Sequence, residues 1–471
     1  MAEKIKYFGN KIGGARKDIM RSGGLKLEDI ADWTDAEKRL YVNKECIWPF
    51  KSKVLCSEGT DRKIVYWQRK MRTLAYKEPH LDRKDFTEGI NNYLSNMIIY
   101  KDMVMAVKTE EDRCKFYEEI NELYKTGAYK PGWSNIVYFF DVYRSRYKVY
   151  GWDQDCNCSN FPETNKREGQ KKRKGKFIPP QLEKIEREGI DYREGLDITP
   201  EFWQETFNFY GCEFGNWTNQ NDRQCSLNYA YDALRDLADV LGIDTKSIAY
   251  NGKLSLAFGS RGVANSSSHY EPARAVINLT KFNGAGTVAH EWFHSLDHEI
   301  ALSCGVTDED FASKSKQKEK LPTSFIKLCR AIKKDENGNK TDFLIGSEQF
   351  DLCYSKTDHG YWSSETEMLA RAFACYVKDM YGKKSDYLIA HADTYVFTYD
   401  NESKCAHPQG EERDYYDELF DDLFIELKKM GILSKKSLEK VPDIAKLKEF
   451  NEKIDYSASL TDNANQLKFF A

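Results

Sequence analysis

Residues 284–300 read GAGTVAHEWFHSLDHEI and set His290, Glu291 and His294 in the order H-E-x-x-H. On an α-helix, positions four apart share a face, so this spacing aims two imidazoles at one point and places a carboxylate beside it. Two neutral imidazoles suit zinc, and the neighbouring carboxylate suits proton transfer to and from water. The flanking residues agree with a helix. At about 100° per residue, Val288, Ala289, Trp292, Phe293, Leu296 and Ile300 fall on an apolar stripe, and His290, Glu291, His294, Asp297 and His298 fall on a polar one. Gly284 and Gly286 allow a tight entry, and Thr287 stands where an N-cap is needed. A chain with this segment must build a core under one side of the helix and leave the other side for chemistry.

A catalytic zinc site takes three protein ligands and keeps one position open, so a second element must contribute. The segment YWSSETEMLARAFACYV, residues 361–377, has Met368, Ala372, Cys375 and Tyr376 on a helical stripe, with Ser364 and Glu367 at capping-box spacing. Glu365 or Glu367 could reach the metal; Glu367 lies deeper in the helix and is the preferred third ligand beside His290 and His294. His298, two turns beyond His290 with no glycine turn to bring it back, is the weaker candidate. With Glu291 as general base, charge developing on a carbonyl oxygen needs a donor. Tyr270, His269, Tyr361 and His359, read as loop residues, offer one, and Tyr270 and Tyr361 are the catalytic candidates among them. Asp297 is expected to hold the second ring nitrogen of a ligand histidine.

The rest of the chain divides by pattern. Residues 1–150 read as an α-helical N-terminal domain, with stripes through Ile64, Trp67, Met71 and Leu74, through Phe86, Ile90, Tyr93, Leu94, Met97 and Ile98, and through Phe116, Ile120, Leu123 and Tyr124. Residues 151–180 break that pattern and read as a linker. Between Lys166 and Lys176 it carries seven basic residues and one acid. A solvated connection is the expectation; a weak nucleic-acid contact is the alternative, although no aromatic residue is interleaved to stack on bases. Residues 181–430 hold the metal motifs, and 431–471 a C-terminal helix and tail. Leu227, Tyr231, Leu234, Leu237 and Leu241 mark a helix ending at Gly242. Leu254, Leu256 and Phe258 alternate as in a strand, Val276–Leu279 forms a second, and residues 259–274 read as the loop between them. Residues 302–360 read as a polar insertion that could form a mobile lid.

Composition limits the function classes. A formal charge of −4 leaves no global field for nucleic acid, and no apolar run approaches the ~20 residues of a membrane span. The start MAEKIKYFGNK has no apolar signal core, and the twelve cysteines include no C-x-x-C pair and read as free thiols. A cytoplasmic protein, in the host cell if phage-encoded, is the expectation.

Several stretches, FYGCEFGNW, LNYAYDALRDLADVLG, LSLAFGSRG, HYEPARAVINLTK, GAGTVAHEWFHSLDH, YWSSETEMLARAF and PQGEER, resemble the large polyvalent protein-associated domain of the first type over about residues 195–430. That is a zincin-like domain of phages and other mobile elements, and the metal motif is similar to that of ArdC-type antirestriction proteins. The resemblance implies an α+β fold: a small sheet, an H-E-x-x-H helix and a second ligand helix, preceded here by the α-helical N-terminal domain. It implies a Zn2+-dependent metallopeptidase (a hydrolase) with a protein or peptide substrate, using His290, Glu291, His294 and Glu367. The alternative is a zinc-stabilised anti-defence protein that binds a protein or nucleic-acid partner without proteolysis. Phe293 departs from the small residue expected before the second histidine; its ring either narrows the cleft or packs into the core.

Overall fold

In the computed structural model the chain divides into two units, Gly13–Gln170 on the one hand and Met1–Ile12 with Lys171–Ala471 on the other. The structure describes residues 5–13, 24–31, 33–34, 38, 41–42, 44–75, 86–126, 182–215, 219–261, 268–280, 284–355, 360–436 and 444–452. The basic run 166–176, two of the twelve cysteines (Cys156 and Cys158, a C-x-C read as loop thiols), His359 and the tail beyond Ser457 lie outside them.

The described part of the smaller unit is helical, as its apolar spacing requires. Its long helices are α1 (Arg62–Leu74), α2 (Phe86–Ala106) and α3 (Glu110–Thr126). Ile64, Trp67 and Met71 of α1 join Ile90, Leu94, Met97 and Ile98 of α2 and Phe116 of α3 in one buried cluster. A reciprocal cap starts α3: the Thr109 hydroxyl accepts from the Asp112 N–H at 3.2 Å, and the Asp112 carboxylate accepts from the Thr109 N–H at 2.9 Å.

The larger unit is α+β. Its five-stranded sheet runs in the order β1 (Phe8–Gly9), β2 (Gly211–Phe214), β3 (Ser255–Phe258), β5 (Val276–Leu279), β4 (Ser268–Glu271). The three middle strands are parallel, and β1 and β4 run antiparallel to their neighbours. Residues 5–12, expected within the N-terminal domain of 1–150, therefore belong with the sheet. A correction concerns residues 259–274: the expected loop contains β4, so His269 and Tyr270 are strand residues. Alternation divides the sheet faces. Cys212, Phe214, Leu256, Phe258, Ile277 and Leu279 enter the main core, whereas Ala257 and Val276 meet Ile12 on the other side.

Helices build the core on the inner side of the sheet, the one over Val288–Ser303 packing directly against β4 and β5. In chain order they include α4 (Pro200–Phe207), α5 (Gln220–Leu241), α6 (Val288–Ser303), α7 (Thr323–Ala331), α8 (Asp342–Tyr354), α9 (Glu365–Tyr381), α10 (Gly410–Lys429) and α11 (Ile444–Glu452), with the hairpin β6 (Val396–Tyr399) and β7 (Glu402–Cys405) between α9 and α10. Gly242 ends α5 in the left-handed conformation at φ 58°, as glycine permits without a Cβ clash. The apolar stripe of α6 is fully buried against α9 and α10. Phe293 lies 4.9 Å from Phe373 and 5.8 Å from Phe420, ring centre to ring centre, so its ring fills the core. Trp292 is enclosed as well and donates its indole N–H to the Ile248 carbonyl at 2.9 Å. Burial of such side chains contributes about 1.5–3 kcal/mol each and holds the helix face opposite them in place.

The described part of 302–360 is packed structure. α7 lies along α10, α8 lies against the β6–β7 hairpin, and Asp308 ties the loop before α7 by accepting from Ser315 Oγ and Lys316 N, both at 2.7 Å. Among the described residues no disulfide joins any pair of cysteines.

Candidate metal centre

The polar stripe of α6 and the first turns of α9 face each other. His290 Nε2 and His294 Nε2 stand 3.0 Å apart; Glu367 Oε2 is 3.4 Å from the first and Glu367 Oε1 is 3.6 Å from the second. Donors held tetrahedrally at zinc distances of about 2.05 Å would lie about 3.3 Å from one another. The three separations bracket that value, so the residues present fit such an ion. Among the described residues this is the one cluster of possible metal ligands, and His294 and Glu367 are buried.

The charges are coupled. Burial opposes ionisation of Glu367, yet His294, His290 and the Tyr361 hydroxyl outweigh it and hold its pKa down at about 2. Burial also works against charge on His290, but Glu367 lifts its pKa above the ordinary histidine value, while burial lowers that of His294. Two cationic rings facing each other at 3.0 Å repel, so His294 keeps the neutral form that a metal needs.

Local sequence explains why Glu367 rather than Glu365 arrives here. Two positions on a helix differ by about 200°, so the carboxylates diverge. Glu365 turns to Lys333 and has Lys318 at 4.0 Å. Ser364 is the N-cap residue of α9 but makes no side-chain cap, which leaves Glu367 for the histidines. At the other helix, Thr287 is the N-cap residue and donates its hydroxyl to the Gly284 carbonyl at 2.8 Å. Gly286, at φ 87°, is required: an added Cβ would lie 2.8 Å from the His391 ring.

Glu291 projects beside the triad. Its Oε1 accepts from Ser268 Oγ at 2.6 Å, and its Oε2 is buried with no partner. Tyr361 leaves 53 % of its surface exposed, yet its hydroxyl end reaches Glu367; enclosure of that end, then the carboxylate charge, push its pKa well above the ordinary phenol value. Tyr270 is placed differently, with its hydroxyl 2.7 Å from His298 Nδ1. This bond also occupies His298. His269 lies on the opposite face of the strand, 3.3 Å from Glu271 Oε1.

Asp297 does not hold a ligand histidine, which corrects that expectation. Its carboxylate accepts from Ser313 N at 2.8 Å and Ser313 Oγ at 2.6 Å, and Ser313 Oγ lies 3.0 Å from Thr366 Oγ1. The aspartate therefore links α6 to α9 through the loop before α7, and His294 Nδ1 is buried with no partner. Burial pushes Asp297 up to about 6.

Four residues that the sequence reading did not single out shape the surroundings. Ser268 holds Glu291. Arg371, one turn beyond Glu367 and 1 % exposed, donates to the carbonyls of Trp362 and Ala406, to Ser347 Oγ at 3.0 Å and to the Glu367 carbonyl at 3.3 Å. Asp351, near the end of α8, accepts from the N–H groups of Tyr361, Trp362 and Ser363 at 2.8, 2.9 and 2.8 Å, which fixes the turn carrying Tyr361. His407 is buried against Tyr395, its ring centre 4.6 Å away; burial, then Arg371 and His290, hold its pKa well below the ordinary value. A buried arginine in the E-x-x-x-R spacing of α9 was the one legible signal among them.

Residues 353–431 match the family model of large polyvalent protein-associated domain 1. This span lies at the C-terminal end of the stretch in which the resemblance was seen, and it contains Tyr361, Glu367, Arg371 and His407. No curated protein and no solved structure matches the chain.

Proposed function

We propose that this protein is a zinc-dependent metallopeptidase with a zincin-like fold, made by a phage or other mobile element and acting on a host or phage protein. The observation that carries the reading is the convergence of His290, His294 and Glu367 with Glu291 alongside, one carboxylate oxygen held and the other buried without a partner. A zinc ion in this triad would supply Lewis acidity, acidifying a water and polarising a carbonyl. Glu291 then does the proton work: Oε2 takes a proton as the water oxygen adds to the peptide carbonyl carbon, and returns it to the nitrogen as the C–N bond breaks. Tyr361, whose hydroxyl already reaches the triad, is the donor for the carbonyl oxygen as it gains charge. Among the described strands β4 ends the sheet, so its outer edge is the surface on which an extended peptide can pair.

Glu291→Gln separates this reading from that of a zinc-stabilised binding protein. The variant should keep zinc and fold while losing about 10² to 10⁴ in rate, the usual worth of general acid–base catalysis. Wild type and variant are expressed in host cells and new protein termini are compared by mass spectrometry. Termini produced by wild type alone support the peptidase and name its substrate. Equal phenotypes without new termini assign the zinc a structural role in an anti-defence protein that works by binding.

A further inference from the structure

We infer that Ser268 is the positioning residue of the site: it aims Glu291, and it makes that aim depend on the strand that receives the extended chain. The inference rests on the metallopeptidase reading above.

A glutamate side chain has three rotatable bonds, and its neighbour His290 on α6 points elsewhere, so the helix alone does not orient the carboxylate. Ser268 does, through a 2.6 Å hydrogen bond to Oε1 that leaves Oε2 as the unengaged oxygen. The serine is itself fixed. It is the first residue of β4, buried, and in register with Leu279 of β5 inside the sheet.

A second bond repeats the arrangement. Ser268 and Tyr270 share one face of β4, about 7 Å apart. Glu291 and His298 are seven residues apart on α6, two turns or about 10 Å. Ser268 binds Glu291, and Tyr270 Oη lies 2.7 Å from His298 Nδ1, so strand and helix are joined at two points and cannot slide past each other. His269 and Glu271 bond to each other on the opposite face. A peptide pairing with the edge of β4 that no described strand covers therefore stiffens the element that holds the base, and displacement of β4 turns the base away.

The test uses the zinc-loaded full chain and a capped Leu-Tyr hydroxamate, which chelates zinc and offers a proton to an adjacent carboxylate. Affinity is measured for wild type, Ser268→Ala, Ser268→Thr, Glu291→Ala and the Ser268→Ala/Glu291→Ala pair, with zinc content and circular dichroism as controls. Ser268→Ala should bind roughly ten- to a hundredfold more weakly, the loss expected with one hydrogen bond to a charged group. Ser268→Thr, which restores a hydroxyl, should stay within about threefold, and Ser268→Ala should change little once Glu291 is alanine, because the two act as one unit. Equal affinity in wild type and Ser268→Ala, or the same loss in both backgrounds, overturns the positioning role while leaving the metallopeptidase reading intact. Absence of zinc, or of hydroxamate binding by the zinc-loaded wild type, overturns that reading and this inference with it.

Discussion

Replacing Arg371 with methionine keeps an unbranched apolar stem and removes the guanidinium with its charge and its donors. Two backbone carbonyls, those of Trp362 and Ala406, then lose the guanidinium, as does Ser347 Oγ. A buried acceptor left without a donor costs about 1–3 kcal/mol, which makes roughly 2–6 kcal/mol for the two carbonyls. The guanidinium charge also offsets those of Glu367 and Asp351, which act on it through the interior. The middle of that range, about 4 kcal/mol, is expected, against a typical total of 5–15 kcal/mol. In thermal unfolding that is on the order of 10 °C. Because the two units can unfold separately, the transition to follow is the one that added zinc moves upward. Arg371→Lys should recover less than half of the loss, since a single ammonium cannot reach the acceptors on both loops. A shift below about 2 °C for Arg371→Met with zinc binding unchanged would refute the assignment of Arg371 as the tie between the ligand helix and its flanking loops.

Purified protein should hold about one zinc per chain, with His294→Ala and Glu367→Ala losing it and Glu365→Ala retaining it by elemental analysis; full zinc in the first two variants would sink the site. Asp297, pushed up to about 6 by burial, takes up a proton in the folded chain while an unfolded aspartate near 3.9 is still ionised. The sign follows: its contribution to stability grows as pH falls from 7 towards 4, by up to about 3 kcal/mol relative to Asp297→Asn. Denaturation of the metal-free proteins across that range checks it, and parallel curves would count against a raised pKa. Tyr361→Phe should lower turnover by about 10² with zinc content unchanged, as when one oxyanion donor is lost; equal rates would remove Tyr361 from the chemistry.

Helical periodicity made α6 and α9 legible, because three or four apolar positions per two turns bury one side and leave the other readable. Glu367 was accessible for the same reason, as its distance into the helix set its direction. β4 was not. Its sequence SHYE has no apolar alternation, since Ser268 and Tyr270 turn to polar partners on α6, and the strand exists because β5 pairs with it. Asp297 illustrates a different limit. Its place on the polar stripe suggested a histidine partner, but the loop bearing Ser313 returns from 16 residues away to meet it, and no local pattern records that approach. Phe293 was ambiguous until Phe373 and Phe420 closed around it.

The pairing of β1 with β2 imposes a delay on assembly. Phe8 and Gly9 are made about two hundred residues before Cys212 and Gly211, their partners. At synthesis rates of about 5–20 residues per second, the strand waits roughly 10–40 s with its backbone unpaired, while the intervening helices, whose contacts are mostly local, have ample time to fold. Ile12 waits with it, exposed until Ala257 and Val276 are made and give it a face to cover.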